Sequence, residues 1–288
     1  MNNQRTVERV EDHFAQNSAQ SDLSAHWAHP LAGAARLQLT ESGLRLELGR
    51  TSSGHYSNAQ IDDYSGRRAS RYPWRPPLRL RVRARASHAA HPTRPRRDTR
   101  PAEEWLRGTV GFGFWNAPMT RAGGGLRLPD AIWFFGASPP SNMSLTADGL
   151  GYGWKAQVVH AHRPGALLAA PPLALTALWA RVSGDDHPAA SWLEKMTGAR
   201  EAILDTAGAD LRQWHDYSLE WLPDRARFWV DGRESLAVEH PPRGPLGFVA
   251  WIDNQYAIAT PRGELRFGAL DCGPQWLELA SISIEPLT

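Results

Sequence analysis

The stretch PLRLRVRARA, residues 77–86, places Leu78, Leu80, Val82 and Ala84 on one side of an extended chain and Arg79, Arg81, Arg83 and Arg85 on the other. A period of two is the pattern of a strand with one buried face, and it has no place on a helix. Solvent is the ordinary destination of such arginines, and a face for an anionic ligand is the other reading. LQLTESGLRLEL, residues 37–48, alternates in the same way around a turn at Ser42 and Gly43, which predicts a hairpin. Further strands are expected over 109–115, 131–135, 154–159, 173–182, 217–221, 225–230, 246–252, 264–268 and 276–284. Helical spacing occurs in one stretch, 187–204, where Trp192, Leu193, Met196 and Ile203 share a side. Short strands broken by glycine and proline, with one helix late in the chain, predict an all-β fold. Its expected form is a jelly-roll sandwich of two large antiparallel sheets, in a single domain over residues 1–288 with a short helical insertion around 187–204. Residues 88–101, crowded with proline and arginine, are expected to form a mobile loop, because proline donates no backbone hydrogen bond and like charges repel.

Charge and cysteine content narrow the function. A formal net charge of +2 over 288 residues gives no case for a nucleic-acid partner. No apolar run is long enough to span a bilayer, so no membrane partner is expected. The start MNNQRTVERV lacks the apolar segment of a secretory signal, and the lone Cys272 has no internal disulfide partner. A cytoplasmic location follows as an expectation. The oligomeric state is open.

WHDYSLEWLPDRARFWVDG, residues 214–232, carries two strands, a turn begun by Pro223-Asp224 and a second at Asp231-Gly232. This hairpin resembles one in the concanavalin A-like lectin/glucanase superfamily, and in particular in glycoside hydrolase family 16. Other segments resemble family landmarks in the same order: EDHF at 11–14, GLRL at 43–46, SNAQI at 57–61, GFWNAP at 113–118, DAIW at 130–133 and WLELASISI at 276–284. The resemblance implies the two-sheet fold, a substrate cleft on a concave sheet, an oligosaccharide or other small-molecule ligand, and no cofactor beyond a structural calcium of the kind some relatives hold.

The catalytic strand of that family carries Glu-x-Asp-x-Glu or Glu-x-Asp-x-x-Glu, one glutamate serving as nucleophile and the other as acid/base. In PDAIWFFG, residues 129–136, Asp130 falls near the first glutamate, Ile132 near the aspartate, and Phe134 or Phe135 near the second glutamate. One carboxylate cannot supply the pair, about 5–5.5 Å apart, that retaining hydrolysis requires. Asp130 is a relic, a turn cap or a repurposed acid.

By strand alternation Gly111, Gly113 and Trp115 share a face, as do Trp133 and Phe135, and Trp251 and Asp253. The resemblance puts these strands at the cleft. The candidate ligand-binding residues are therefore Trp115, Asn116, Trp133, Phe135, Trp251, Asn254 and Gln255, with Asp130, Asp253 and His215 as candidate proton-transfer groups. The tryptophans belong either to the cleft or to the core between the sheets. Asp253 is either a second acid or a strand-end acceptor of local backbone amides. His160 and His162 have a spacing that some metal sites use, but lack the further ligands of a zinc site, so no metal site is assigned. Two functional classes follow. The first is a carbohydrate- or glycoconjugate-binding or -processing protein with a non-standard active site; the second is an intracellular enzyme or binder for a polycyclic or terpenoid ligand in an aromatic-lined cleft.

Overall fold

The computed structural model describes residues 9–14, 23–92, 104–117, 129–143, 151–160, 199–204, 210–259 and 265–287. In chain order the strands are β1 (Val10–His13), β2 (Leu31–Ala32), β3 (Ala35–Leu39), β4 (Leu44–Leu48), β5 (Asn58–Asp62), β6 (Leu78–Ala86), β7 (Thr109–Trp115), β8 (Asp130–Ala137) and β9 (Asn142–Met143). They continue with β10 (Gly153–His160), β11 (Arg200–Ile203), β12 (His215–Trp221), β13 (Arg225–Val230), β14 (Arg233–Glu239), β15 (Gly247–Asp253), β16 (Gln255–Ala259), β17 (Leu265–Ala269) and β18 (Gln275–Pro286). An eight-stranded antiparallel sheet runs β14-β13-β12-β6-β18-β4-β3, with β1 added against β18. A seven-stranded antiparallel sheet runs β11-β10-β8-β7-β15-β5-β2, and β17-β16-β9 form a small third sheet. This is the jelly-roll sandwich of the concanavalin A-like fold.

Alternation decides which side chains lie between the two large sheets. Leu78, Leu80, Val82 and Ala84 of β6 meet Phe112 and Phe114 of β7, Phe134 of β8 and Phe248 of β15 in one buried cluster. The arginines of β6 occupy the opposite face, each matched to a carboxylate from a neighbouring strand. Arg79 and Arg81 contact Glu285, Arg83 contacts Asp216, and Arg85 contacts the buried Glu278. With its charges paired internally, this face is not a free cationic surface.

Local chemistry fixes the hairpins. Leu39 pairs with Leu44 across the turn that contains Ser42 and Gly43, and the Thr40 N–H donates to the Gly43 carbonyl at 2.8 Å. Between β13 and β14, Asp231 and Gly232 have φ of 49° and 76°, both left-handed, as a two-residue turn matching the twist of paired strands requires. The expected helix at 187–204 needs correction at its described end: Arg200–Ile203 is a strand paired with β10, and residues 187–198 lie outside the described residues. Partner strands outweighed the helical spacing there, since extended backbone lets Glu201 meet Lys155 and Gln157. The expected strand at 173–182, most of the loop at 88–101 and His162 also lie outside the described residues.

Candidate functional site: an aromatic face with a buried polar network

The residues of β8 divide cleanly between two environments. Ile132 and Phe134 are fully buried in the cluster between the sheets, whereas Trp133 and Phe135 stand half-buried on the outer face of the seven-stranded sheet. Register extends that face across its neighbours. One row runs Glu201, Gln157, Trp133, Gly113, Val249, Asp62, and the next runs Ile203, Lys155, Phe135, Gly111, Trp251, Gln60. Trp115, opposite Ala131 and Gly247, begins a third row.

Glycines give the rings room. A Cβ at Gly111 would come 2.7 Å from Cη2 of Trp251, and one at Gly113 would come 2.6 Å from Cβ of Trp133. The rings therefore lie across β7 as a layer. Trp133 stacks on Phe135 with centroids 5.4 Å apart and planes at 19°, and it lies 5.3 Å from Trp251 and 5.9 Å from Trp115. Tyr64 and Tyr72 continue the cluster beyond Trp115. These tryptophans thus belong to a second aromatic cluster, separate from the core between the sheets.

Polar groups frame the layer at both ends. The Trp133 indole N–H donates to Gln157 Oε1 at 2.9 Å, Gln157 Nε2 donates to Glu201 Oε2 at 2.8 Å, and Lys155 Nζ meets Glu201 Oε1 at 3.1 Å. Lys155 is 1% exposed, and burial holds its ammonium below the usual lysine range, opposed by the adjacent Glu201 charge. At the other end, Trp251 Nε1 donates to Thr109 Oγ1 at 2.9 Å, which donates to Asp253 Oδ1 at 2.8 Å. The indole donors of Trp133 and Trp251 are thereby engaged, and the half-buried Trp115, Trp133 and Phe135 keep part of their ring surface open.

The structure does not gather all the candidate residues on this face. Trp115, Trp133, Phe135, Trp251 and Asp253 share it. Asp130 has the alternation of Ile132 and Phe134, and its Oδ1 lies 2.9 Å from Nδ1 of His160. Asn116 closes the end of the β7–β8 pair, its Oδ1 accepting the Asp130 N–H at 3.2 Å. Asn254 is fully buried, accepting the Ser57 N–H and donating to the carbonyls of His55 and Leu270. Gln255 is exposed at the start of β16. His215 lies in the eight-stranded sheet, its Nδ1 2.6 Å from Asp231 and its Nε2 3.0 Å from the Asp210 carbonyl.

Lys155, Gln157 and Glu201 were not among the sequence candidates. Within GWKAQVV, the polar residues Lys155 and Gln157 alternate with the buried Trp154, Ala156 and Val158, which was the available signal. Among the described residues, the carboxylates on the outer face are Glu201, Asp62 and Asp253. Glu201 and Asp62 end one row five strands apart, about 24 Å at ~4.8 Å per strand. Asp253 lies four residues along β15 from Val249, the partner of Asp62, about 13 Å away at ~3.3 Å per residue. No two of them approach the separations of about 5–9.5 Å at which glycosidase carboxylate pairs work. Nor does any group of three or more His, Cys, Asp or Glu among the described residues form a metal cluster.

Asp253 Oδ1 also accepts the N–H groups of Thr109 and Gln255, at 3.2 and 2.9 Å. Burial nevertheless pushes its carboxyl up to about 6, above the ~3.9 of an unfolded chain. The folded state therefore binds the proton more tightly, and this group's contribution to stability falls as pH rises from about 4 to about 7, by roughly 3 kcal/mol. Asp253→Asn keeps the Oδ1 acceptor. Urea unfolding should show the variant gaining on the parent by that amount between pH 4 and pH 7; a difference independent of pH would place the Asp253 carboxyl at its ordinary value.

No family model and no curated protein matches this sequence. Solved structures do match. An endo-acting O-glycanase from the human gut microbiota, described as initiating mucin breakdown, is 12% identical with a TM-score of 0.52 over 97% of this chain and 99% of its own. The Crh5 transglycosylase is 10% identical with a TM-score of 0.50 over 97% of this chain and 85% of its own. An endo-β-1,3-glucanase from Pyrococcus furiosus is 11% identical with a TM-score of 0.50 over 97% and 94%. At such identities the likeness is one of fold, and the fold is the concanavalin A-like sandwich of family 16-type glucanases and transglycosylases.

Proposed function

We propose that the outer face of the seven-stranded sheet binds an oligosaccharide or the glycan of a glycoconjugate, through a site that lacks the two-carboxylate machinery of family 16. The observation that carries this reading is the glycine-floored layer of Trp115, Trp133, Phe135 and Trp251. Flat ring faces suit the apolar faces of sugar rings. The fold supports it by analogy: a matching structure is a Crh5 transglycosylase in complex with NAG. The spacing of Glu201, Asp62 and Asp253 argues against retaining or inverting hydrolysis by a carboxylate pair.

Calorimetric titration with soluble β-glucans, galactans and mucin-type glycans tests this reading. Binding without new reducing ends is expected, and Trp133→Ala should weaken it at least thirtyfold, the ordinary cost of removing a central aromatic anchor. Glycan turnover, or glycan affinity indifferent to Trp133→Ala, would overturn it. The apolar company of the rings, with Val249, Ala69 and Ala117 in the same cluster, favours a second reading in which the ligand is a polycyclic or terpenoid molecule. Saturable binding of such compounds alone would select it.

A further inference from the structure

A cavity of about 940 Å³ lies where the chain leaves β4 and where it enters β18, at segments joined by the bridge between Thr51 and Cys272. Its lining includes Arg50, His88, Trp105, Arg107, Asp271 and Gln275, and none of the rings of the aromatic layer. Its size is that of a small-molecule site. Its charge is unlike that of the β6 arginine face, where every guanidinium has a carboxylate. Among the described residues, neither Arg50 nor Arg107 has a carboxylate within ion-pair distance. Asp271 is the single acid in the wall; its Oδ1 accepts the Ser53 N–H at 2.7 Å, and its backbone carbonyl accepts from Arg107 Nε at 3.4 Å.

Arg107 is also anchored. Gln275, 2% exposed, accepts the Arg107 N–H at 2.9 Å and donates to the Arg107 carbonyl at 2.6 Å, which fixes the backbone that carries the guanidinium. Beside it the half-buried Trp105 contributes an aromatic wall, with His91 against it at a centroid distance of 5.8 Å. His88 adds an imidazole whose Nδ1 lies 2.7 Å from Ser87 Oγ. The arrangement combines two charges of one sign, on the exposed Arg50 and the half-buried Arg107, and a flat ring around one half-open cavity.

We propose that this cavity binds a ring-bearing oxyanion of monosaccharide size, such as a sugar carboxylate, sulfate or phosphate, with the oxyanion on Arg50 and Arg107 and the ring against Trp105. The site is independent of the aromatic face and of any glycan bound there. Calorimetry on the full chain with glucuronate, glucose 6-sulfate and glucose 6-phosphate, against glucose, inorganic sulfate and inorganic phosphate, tests it. At least one sugar anion should bind, the strongest identifying the oxyanion, and added salt should weaken it. Arg50→Gln and Arg107→Gln should each lower its affinity about tenfold or more, and Phe135→Ala should leave it unchanged. Failure of all three sugar anions to bind would overturn the proposal. So would equal binding of glucose or of the inorganic ions, affinity insensitive to salt in the parent protein, or affinity retained in both arginine variants.

Discussion

Phe134→Ala is expected to destabilise the protein by about 3–5 kcal/mol, whereas Phe135→Ala, one residue along the same strand, should cost about 1–2 kcal/mol. The two side chains have the same chemistry and differ in what surrounds them. Phe134 is 0% exposed and touches both sheets: its ring lies 5.5 Å from Phe112 of β7, 5.0 Å from Tyr217 of β12 and 5.4 Å from Phe228 of β13. Truncating it leaves a cavity between two layers that are each held by their own ladders and cannot close on it. Phe135 is half-buried against Trp133 and Trp251, and the space it vacates opens toward solvent. Urea unfolding of the two variants gives the comparison directly. A reversed order would mean that β8 is turned by one residue, which exchanges every side chain between core and outer face. The aromatic layer would then cease to be a surface at all.

That dependence on parity also explains what the sequence revealed and what it hid. The limits of β7, 109–115, and of β13, 225–230, follow from local alternation and turn chemistry, and the same arithmetic puts Trp133 and Phe135 on one face of β8; that Trp115 and Trp251 join them was implied by the resemblance and follows from the pairing of β7 with β8 and β15. The family resemblance was a weaker guide to β8. Matching by order along the chain set Asp130, Ile132 and either Phe134 or Phe135 against the acids of the catalytic strand; Asp130, Ile132 and Phe134 share the alternation that faces the other sheet, and Phe135 has the opposite one. His215 was legible as a polar residue just before the strand expected at 217–221; the strand begins at His215 itself, and which sheet it joins depends on β12 pairing with β6, a contact remote in sequence. Asn254 looked like a ligand group because it is polar beside Asp253, yet it is spent on three backbone groups that cross between loops. The network of Lys155, Gln157 and Glu201 was hidden for the same reason. Its members lie 44–46 residues apart and meet because β11 adds to the edge of β10, while the local spacing around Ile203 favours a helix.

The largest effect at that network should come from Glu201→Ala, which is expected to cost about 3–5 kcal/mol because it removes the carboxylate that the Lys155 ammonium meets at 3.1 Å in a site that is 1% exposed. The charge itself contributes little net stability, since burying both ions offsets most of their attraction. The double variant Lys155→Met with Glu201→Leu should therefore recover most of the loss, leaving chiefly the unpaired amide of Gln157, at about 1–3 kcal/mol. Equilibrium unfolding of Lys155→Met, Glu201→Leu and the double variant yields the coupling; strictly additive losses would show that the pair does not act as a unit. The consequence for binding is separable from stability. Glu201 holds Gln157 Nε2, which leaves Gln157 Oε1 to fix the Trp133 indole. In the double variant Gln157 loses that anchor, so a protein restored in stability should still bind glycan more weakly than the parent, through a Trp133 ring no longer held in its plane. Restored stability together with full affinity would limit the network to a structural role.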